Sequence, residues 1–235
     1  TVTAHTVFDL TVSGGDLAGF DGTVGIDLAA GQNIADGVGN ALPGTEPATD
    51  ETYTLDNTAP SGQSVTLDQD PIIAANETAA SFTFAGAEAG ADFTYDITSS
   101  GGPGSVTGSG AIAGPTDQIT GIDVSGLADG TLTLSVVLTD PAGNAAPAVT
   151  DTATKDASGP RLDTISRQSP TAETTNADNP VFRVVFNEAM TVGTVNPADF
   201  AVSGAGSGGA SLTVTPVGGS GDTTFDVEVS GVAAN

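Results

Sequence analysis

The chain has 235 residues and a formal net charge of −25, with 4 Lys plus Arg against 29 Asp plus Glu, no Cys, no Trp and one His. These counts exclude a disulfide framework, a thiolate metal site and a Cys nucleophile, and they oppose binding to nucleic acid or to an anionic membrane, both of which call on Lys and Arg. Charged residues are only 14% and hydrophobic residues 38%, so a packed core is expected despite the charge.

From the N-terminus, no secretory leader pattern opens the sequence, which reads as a fragment or a processed start. Phe8-Asp9-Leu10-Thr11-Val12-Ser13-Gly14 is the first patterned segment. Short β-rich runs follow at Ser81–Phe84, Phe93–Ile97 and Ile119–Val124. Ala85–Ala91 is too short and too broken by Gly for a helix beyond a single turn. Thr131–Leu138 alternates apolar and polar residues and runs into the turn Asp140-Pro141-Ala142-Gly143. Further β runs are Val181–Phe186, Ser211–Thr215 and Phe225–Val229, again separated by Gly, Pro, Asn and Asp. Nothing shows sustained helical periodicity, and no apolar run approaches the roughly 20 residues that span a bilayer. About seven short strands per hundred residues predict an all-β fold of antiparallel sandwiches.

Internal repeats organise these elements. Phe8–Gly14 returns as Phe225-Asp226-Val227-Glu228-Val229-Ser230-Gly231, 217 positions later. Asp56-Asn57-Thr58-Ala59-Pro60 resembles Asp156-Ala157-Ser158-Gly159-Pro160, 100 positions later; at the same offset Asn76 falls on Asn176 and Phe82 on Phe182. Asp36-Gly37-Val38-Gly39-Asn40 pairs with Asp140-Pro141-Ala142-Gly143-Asn144. The offsets parse the chain into the back of one repeat (residues 1–59), a complete repeat (60–159) and the front of a repeat of the first type (160–235). On this parse the chain starts and stops inside a module.

The run Asp129-Gly130-Thr131-Leu132-Thr133-Leu134-Ser135-Val136-Val137-Leu138-Thr139-Asp140-Pro141-Ala142-Gly143-Asn144 resembles the D-G-T…T-D-x-A-G-N ending of bacterial immunoglobulin-like repeats. Val181–Met190 with Asp199-Phe200-Ala201-Val202-Ser203-Gly204 is similar to related F-S-E-x-V…D-F-x-V-x-G modules, with Asn187 where Ser is usual. The resemblance implies tandem immunoglobulin-like antiparallel β-sandwiches from the stalk of a giant surface adhesin, of the kind whose extender domains are rigidified by calcium. It implies an extracellular, bacterial cell-surface location, and names no ligand.

Catalysis is poorly supplied. His5 is the only imidazole, and neither a nucleophile elbow nor a phosphate-binding glycine loop occurs. A sugar-binding platform would need aromatics beyond Tyr53 and Tyr95. Calcium is the better use of the acids, of which 22 are Asp and seven are Glu, since Ca²⁺ takes roughly six to eight hard oxygens.

The strand connectivity of an immunoglobulin-type sandwich puts the loop after the sixth strand at the pole where the chain arrives, and the loops before the second and sixth strands at the opposite pole. Asp140 and Asn144 are thus expected at the leading pole of the complete repeat beside linker residues Asp56 and Asn57. Asn76, Glu77 and Asp129 are expected at its trailing pole beside Asp156, to be joined by the Asp36 and Asn40 loop of a following copy. Those ten residues are the candidate ligands. The bland alternative for each is an ordinary turn residue. Lys155, Arg161, Arg167 and Arg183 cluster around one junction and read either as ion pairs to a neighbouring domain or as solvated charges. The expected partners are neighbouring repeats of the same chain or identical subunits in a fibre. Three functions stay open: a calcium-stiffened stalk, a filament or sheath completed by strand exchange between neighbours, and a carbohydrate-binding module.

Overall fold

The computed structural model describes residues 8–45, 51–204 and 208–231. The chain divides into two compact units, one running to Ala157 and the other from Ser158. His5 lies outside the described residues.

Most of the first unit is one sandwich. Its strands are β3 (Ser64–Leu67), β4 (Ala80–Ala85), β5 (Asp92–Ser99), β6 (Ser105–Ala111), β7 (Gln118–Ile122), β8 (Gly130–Thr139) and β9 (Val149–Lys155). They form a three-stranded sheet in the order β3-β4-β7 and a four-stranded sheet in the order β6-β5-β8-β9, antiparallel throughout. After β3 the chain crosses to the other sheet: Ile72 makes a parallel bridge to Lys155, its N–H donating to the Thr154 carbonyl at 2.8 Å. The alternation of β8 aims Leu132, Leu134, Val136 and Leu138 into the core, as period-2 geometry requires. Facing them are Val65, Leu67, Phe82 and Phe84. Phe82 is the hub: its ring meets Phe84, Tyr95 and Phe93 edge-on at centroid distances of 5.4, 5.5 and 6.4 Å.

Residues 8–59 precede this sandwich with a short turn at Leu17–Gly19 and the antiparallel pair β1 (Gly22–Val24) and β2 (Tyr53–Leu55). Phe8–Gly14 matches Phe225–Gly231 in sequence but forms no strand, whereas Phe225–Ser230 pairs with a strand on each side. In the second unit, β10 (Leu162–Ser169), β11 (Val181–Phe186), β12 (Ser211–Pro216) and β13 (Thr224–Ser230) make one antiparallel sheet in the order β10-β11-β13-β12. Between β11 and β12 lie two single turns, Val192–Thr194 and Pro197–Asp199, the second closed by reciprocal Asn196 and Asp199 capping.

The repeats extend to strand register. Val65 opposes Phe84 and Leu67 opposes Phe82; Ile165 opposes Val184 and Arg167 opposes Phe182, each 100 positions on. In the same way β1 and β2 copy the start of β8 and the end of β9. Gly22 opposes Leu55 as Gly130 opposes Lys155, and Val24 opposes Tyr53 as Leu132 opposes Ala153.

Candidate functional site

At the leading pole of the complete sandwich, β8 runs into the loop Asp140–Asn144. The Asp140 carboxylate accepts the Asn144 backbone N–H and the Asn144 amide nitrogen, both at 2.8 Å. The Asp140 N–H donates to the Asn144 carbonyl at 3.1 Å, and the Ala146 N–H closes onto Leu138 at 2.8 Å. The same Asn144 amide also donates to the Asp56 carbonyl at 2.9 Å, tying the loop to the arriving linker. The Asn144 side-chain amide and the loop N–H groups around it hold the Asp140 carboxyl below the ordinary range, against burial that works to raise it.

The loop Asp36–Asn40 has the same construction. Asp36 accepts from the Asn40 N–H and the Asn40 side chain, both at 2.8 Å, and the Leu42 N–H closes onto Ile34 at 2.8 Å. Its carboxyl is lowered by the same cause, the Asn40 amide first. Gly39 and Gly143 both take positive φ, 96° and 99°, which the Asp-x-x-Gly-Asn turn requires.

The trailing pole gathers Glu77 and Asp129 around a cation supplied by the chain itself. Lys155 Nζ lies 2.9 Å from Glu77 Oε2 and 3.1 Å from Asp129 Oδ1. The ammonium is buried, so Lys155 is neither a solvated charge nor a partner for another domain. Burial works to lower its pKa, but the hydrogen bonds and charges of Glu77 and Asp129 outweigh it and raise it. Asp129 also accepts the Ala157 N–H at 2.9 Å, fixing the departing linker. Asn76 caps its own turn, accepting from the Ile73 N–H at 2.7 Å. Asp156 anchors by its backbone N–H to the Ile72 carbonyl at 2.9 Å.

Residues 8–59 carry the same departing clamp. Asp21, placed before Gly22 as Asp129 is before Gly130, accepts the Asn57 N–H at 2.5 Å and also the Thr58 hydroxyl. These two bonds, Thr58 first, lower its pKa. The Asn57 side chain donates to the Phe20 carbonyl at 2.7 Å. Asp21 is not among the ten candidate ligands, although Asp21-Gly22-Thr23 carries the same signature as Asp129-Gly130-Thr131. Of the other cations, Arg183 makes a two-point pair with Asp226 across strands β11 and β13, both bonds 2.9 Å. Arg161 lies 3.4 Å from Asp163. Each therefore has its acid inside its own unit.

The candidate residues thus fall into separate groups: Asp140 and Asn144 with Asp56, Asp36 with Asn40, and Glu77 with Asp129 around Lys155, while Asn57 turns to Asp21 and the Phe20 carbonyl. Their carboxylates accept from protein N–H groups and one ammonium, and the Asn40, Asn57 and Asn144 side chains donate. Among the described residues no group of three or more His, Cys, Asp or Glu converges on a common point. Calcium takes roughly six to eight oxygens, so at either pole the Asp and Glu side chains would supply only part of the set, and amide and backbone carbonyl oxygens would have to supply the rest. No described helix is long and apolar enough to cross a membrane.

Asp140→Asn is expected to flatten the acid limb of stability. The lowered folded pKa means that the Asp140 contribution is fully present above the ordinary carboxylate value near about 3.9 and is lost as pH falls through the folded one. Melting temperatures recorded from neutral pH downward should fall more steeply in the parent than in the variant; parallel curves would contradict the assignment.

The fold defines the class as all-β: one complete immunoglobulin-like antiparallel β-sandwich with clamped poles, a two-stranded antiparallel pair before it in the chain and a separate antiparallel sheet after it. No family model matches the chain, and no curated protein matches it. Among solved structures it is similar to a crystal structure of a tetra-tandem repeat in the extending region of a large adhesion protein. The identity is 20% and the TM-score 0.36, over 60% of this chain and 34% of that one.

Proposed function

We propose that this chain is a length of an extracellular stalk, in which β-sandwich modules are joined head to tail and serve to hold a binding end away from a cell surface. One observation carries the reading: the junction parts recur. The departing clamp is built at Asp21–Asn57 and again at Asp129–Ala157, and the receiving loop at Asp36–Asn40 and again at Asp140–Asn144. A linker residue held at both ends by neighbouring modules resists bending, because rotation breaks hydrogen bonds on one side or the other. Stability in such an array is approximately a sum of module and interface contributions. The role is mechanical, with no catalytic step.

Calcium at the junctions is a separate element of the proposal. What supports it is the charge of −25, which opposes close packing of successive acidic modules unless screened or bridged. Small-angle scattering on the intact chain, in calcium and in chelator, tests both elements. A stalk segment should give a monomer radius of gyration above the roughly 18 Å of a compact chain of this length. A value at or below that radius overturns the stalk. Equal radii and equal melting temperatures in calcium and chelator remove the ion and leave the hydrogen-bonded clamps.

A further inference from the structure

The segments by which the chain enters and leaves the complete sandwich are tied directly to each other. Residues 64–72 carry the incoming chain and β9 the outgoing one. They belong to different sheets, β3-β4-β7 and β6-β5-β8-β9, yet four hydrogen bonds join them. The Leu67 N–H donates to Asp151 Oδ2 at 2.7 Å, and the Thr154 N–H donates to Asp70 Oδ1 at 2.9 Å. The Ile72 N–H donates to the Thr154 carbonyl at 2.8 Å, and the Asp156 N–H returns to the Ile72 carbonyl at 2.9 Å. At Ile72 backbone meets backbone; at Leu67 and Asp70 a carboxylate spans the gap. Asp68, between those two, ties the same segment back to its own sheet, accepting from the Ser81 and Thr83 hydroxyls of β4 and the Gln118 amide of β7.

The direction of the two segments decides what these bonds do. Ile72 and Lys155 bridge in parallel, so both segments run from the leading pole to the trailing pole. Tension along the chain draws residues 64–72 back toward the leading pole and β9 onward past the trailing pole. The segments are then forced to slide lengthwise, and bonds that cross from one to the other are loaded together. Segments pulled apart from a shared end would instead open one bond at a time. Two of the four acceptors are carboxylates, whose hydrogen bonds are roughly twice as strong as neutral ones.

We propose that residues 67–72 and β9 form a shear clamp that sets the force at which the sandwich unfolds, with Asp70 and Asp151 as its side-chain latches. The proposal rests on the stalk reading, in which a module serves only while it holds under tension. It adds which contact resists that tension and which side chains set its strength. Neither Asp70 nor Asp151 belongs to the linker clamps at the poles.

The test is single-molecule pulling on the intact 235-residue chain, which has no cysteine, so one added at each end gives unique attachment points. Chelator is present throughout, so that no divalent ion contributes. Unfolding from Ser64 to Lys155 releases roughly 300 Å of chain; that step marks the event as the complete sandwich and shows that each variant had folded. Asp151→Ala removes one latch and Asp70→Ala the other. Asp117→Ala is the control, because its carboxylate also accepts a backbone N–H, that of Ala113 at 2.5 Å, in a turn outside both segments. Forced unfolding follows the unfolding rate. Each latch variant should therefore yield at lower force, with a rate extrapolated to zero force about tenfold higher, and the double variant should yield at lower force still. The control should keep the parent force. Denaturant melts put all variants on one stability scale. Latch variants that unfold at the parent force overturn the proposal. So does a control that lowers the force as much as the latches do for the same loss of equilibrium stability. The monomer radius decides the stalk reading separately, so a failure of one is distinguishable from a failure of the other.

Discussion

Lys155→Met is expected to destabilise the complete sandwich by about 2–3 kcal/mol, at or just under the range for severing a buried ion pair, because Glu77 and Asp129 still touch water. Methionine keeps most of the aliphatic stem but removes the charge, leaving two carboxylates turned toward one another. Asp129 would retain the Ala157 N–H, so the departing linker loses part of its clamp rather than all of it. The double variant Lys155→Met with Glu77→Gln should recover part of the loss by removing the repulsion. The pH dependence has a definite sign. With its folded pKa raised, the Lys155 contribution is fully present below the ordinary lysine value near about 10.4 and is lost as pH rises through the folded one. Denaturant melts at neutral and strongly alkaline pH should therefore converge for parent and variant. A variant as stable as the parent at neutral pH would show that the ion pair only offsets its own desolvation.

Much of the fold follows from local pattern, and its gaps have physical causes. The alternation of Thr131–Leu138 places β8, because a strand buried on one face shows period two. Strand β6 has no such signal: Ser105–Ala111 offers mainly Ser, Thr, Gly and Ala around a single Val. Its strand character comes from its partner. Gly108 opposes Tyr95 and Gly110 opposes Phe93, and a Cβ at Gly108 would come within 2.5 Å of the Tyr95 ring. The rings of β5 lie over the bare backbone of β6, and that requirement is invisible in a one-strand reading. Strand β10 is hidden for another reason. It alternates weakly, and Ile165 becomes legible only when aligned with Val65.

The poles were legible from connectivity, since loop order in a sandwich fixes which loops share an end. The chemistry there was not. Asp140 and Asn144 recognise each other across one turn, a pairing the motif itself contains. The ammonium at the other pole joins residues far apart in sequence. Its signal lay in β9, where Val149, Asp151, Ala153 and Lys155 share one face and Ala153 and Lys155 are buried. An inward lysine on a buried face needs carboxylates, and Glu77 and Asp129 were the acids already assigned to that pole.

Phe82→Ala is expected to cost about 3–5 kcal/mol, the largest effect of any single substitution considered. The ring is fully buried, meets three other aromatic rings edge-on and sits between both sheets. Truncation leaves a cavity that a rigid sandwich closes only partly. Against a domain stability of about 5–15 kcal/mol the loss brings the sandwich near its threshold, and denaturant unfolding should show its transition moved strongly to lower midpoint. Phe182→Ala is the matched control. The same residue type stands at the same register position, but its ring is 37% exposed, so the cost should be about 1–2 kcal/mol, carried by the second unit's transition alone.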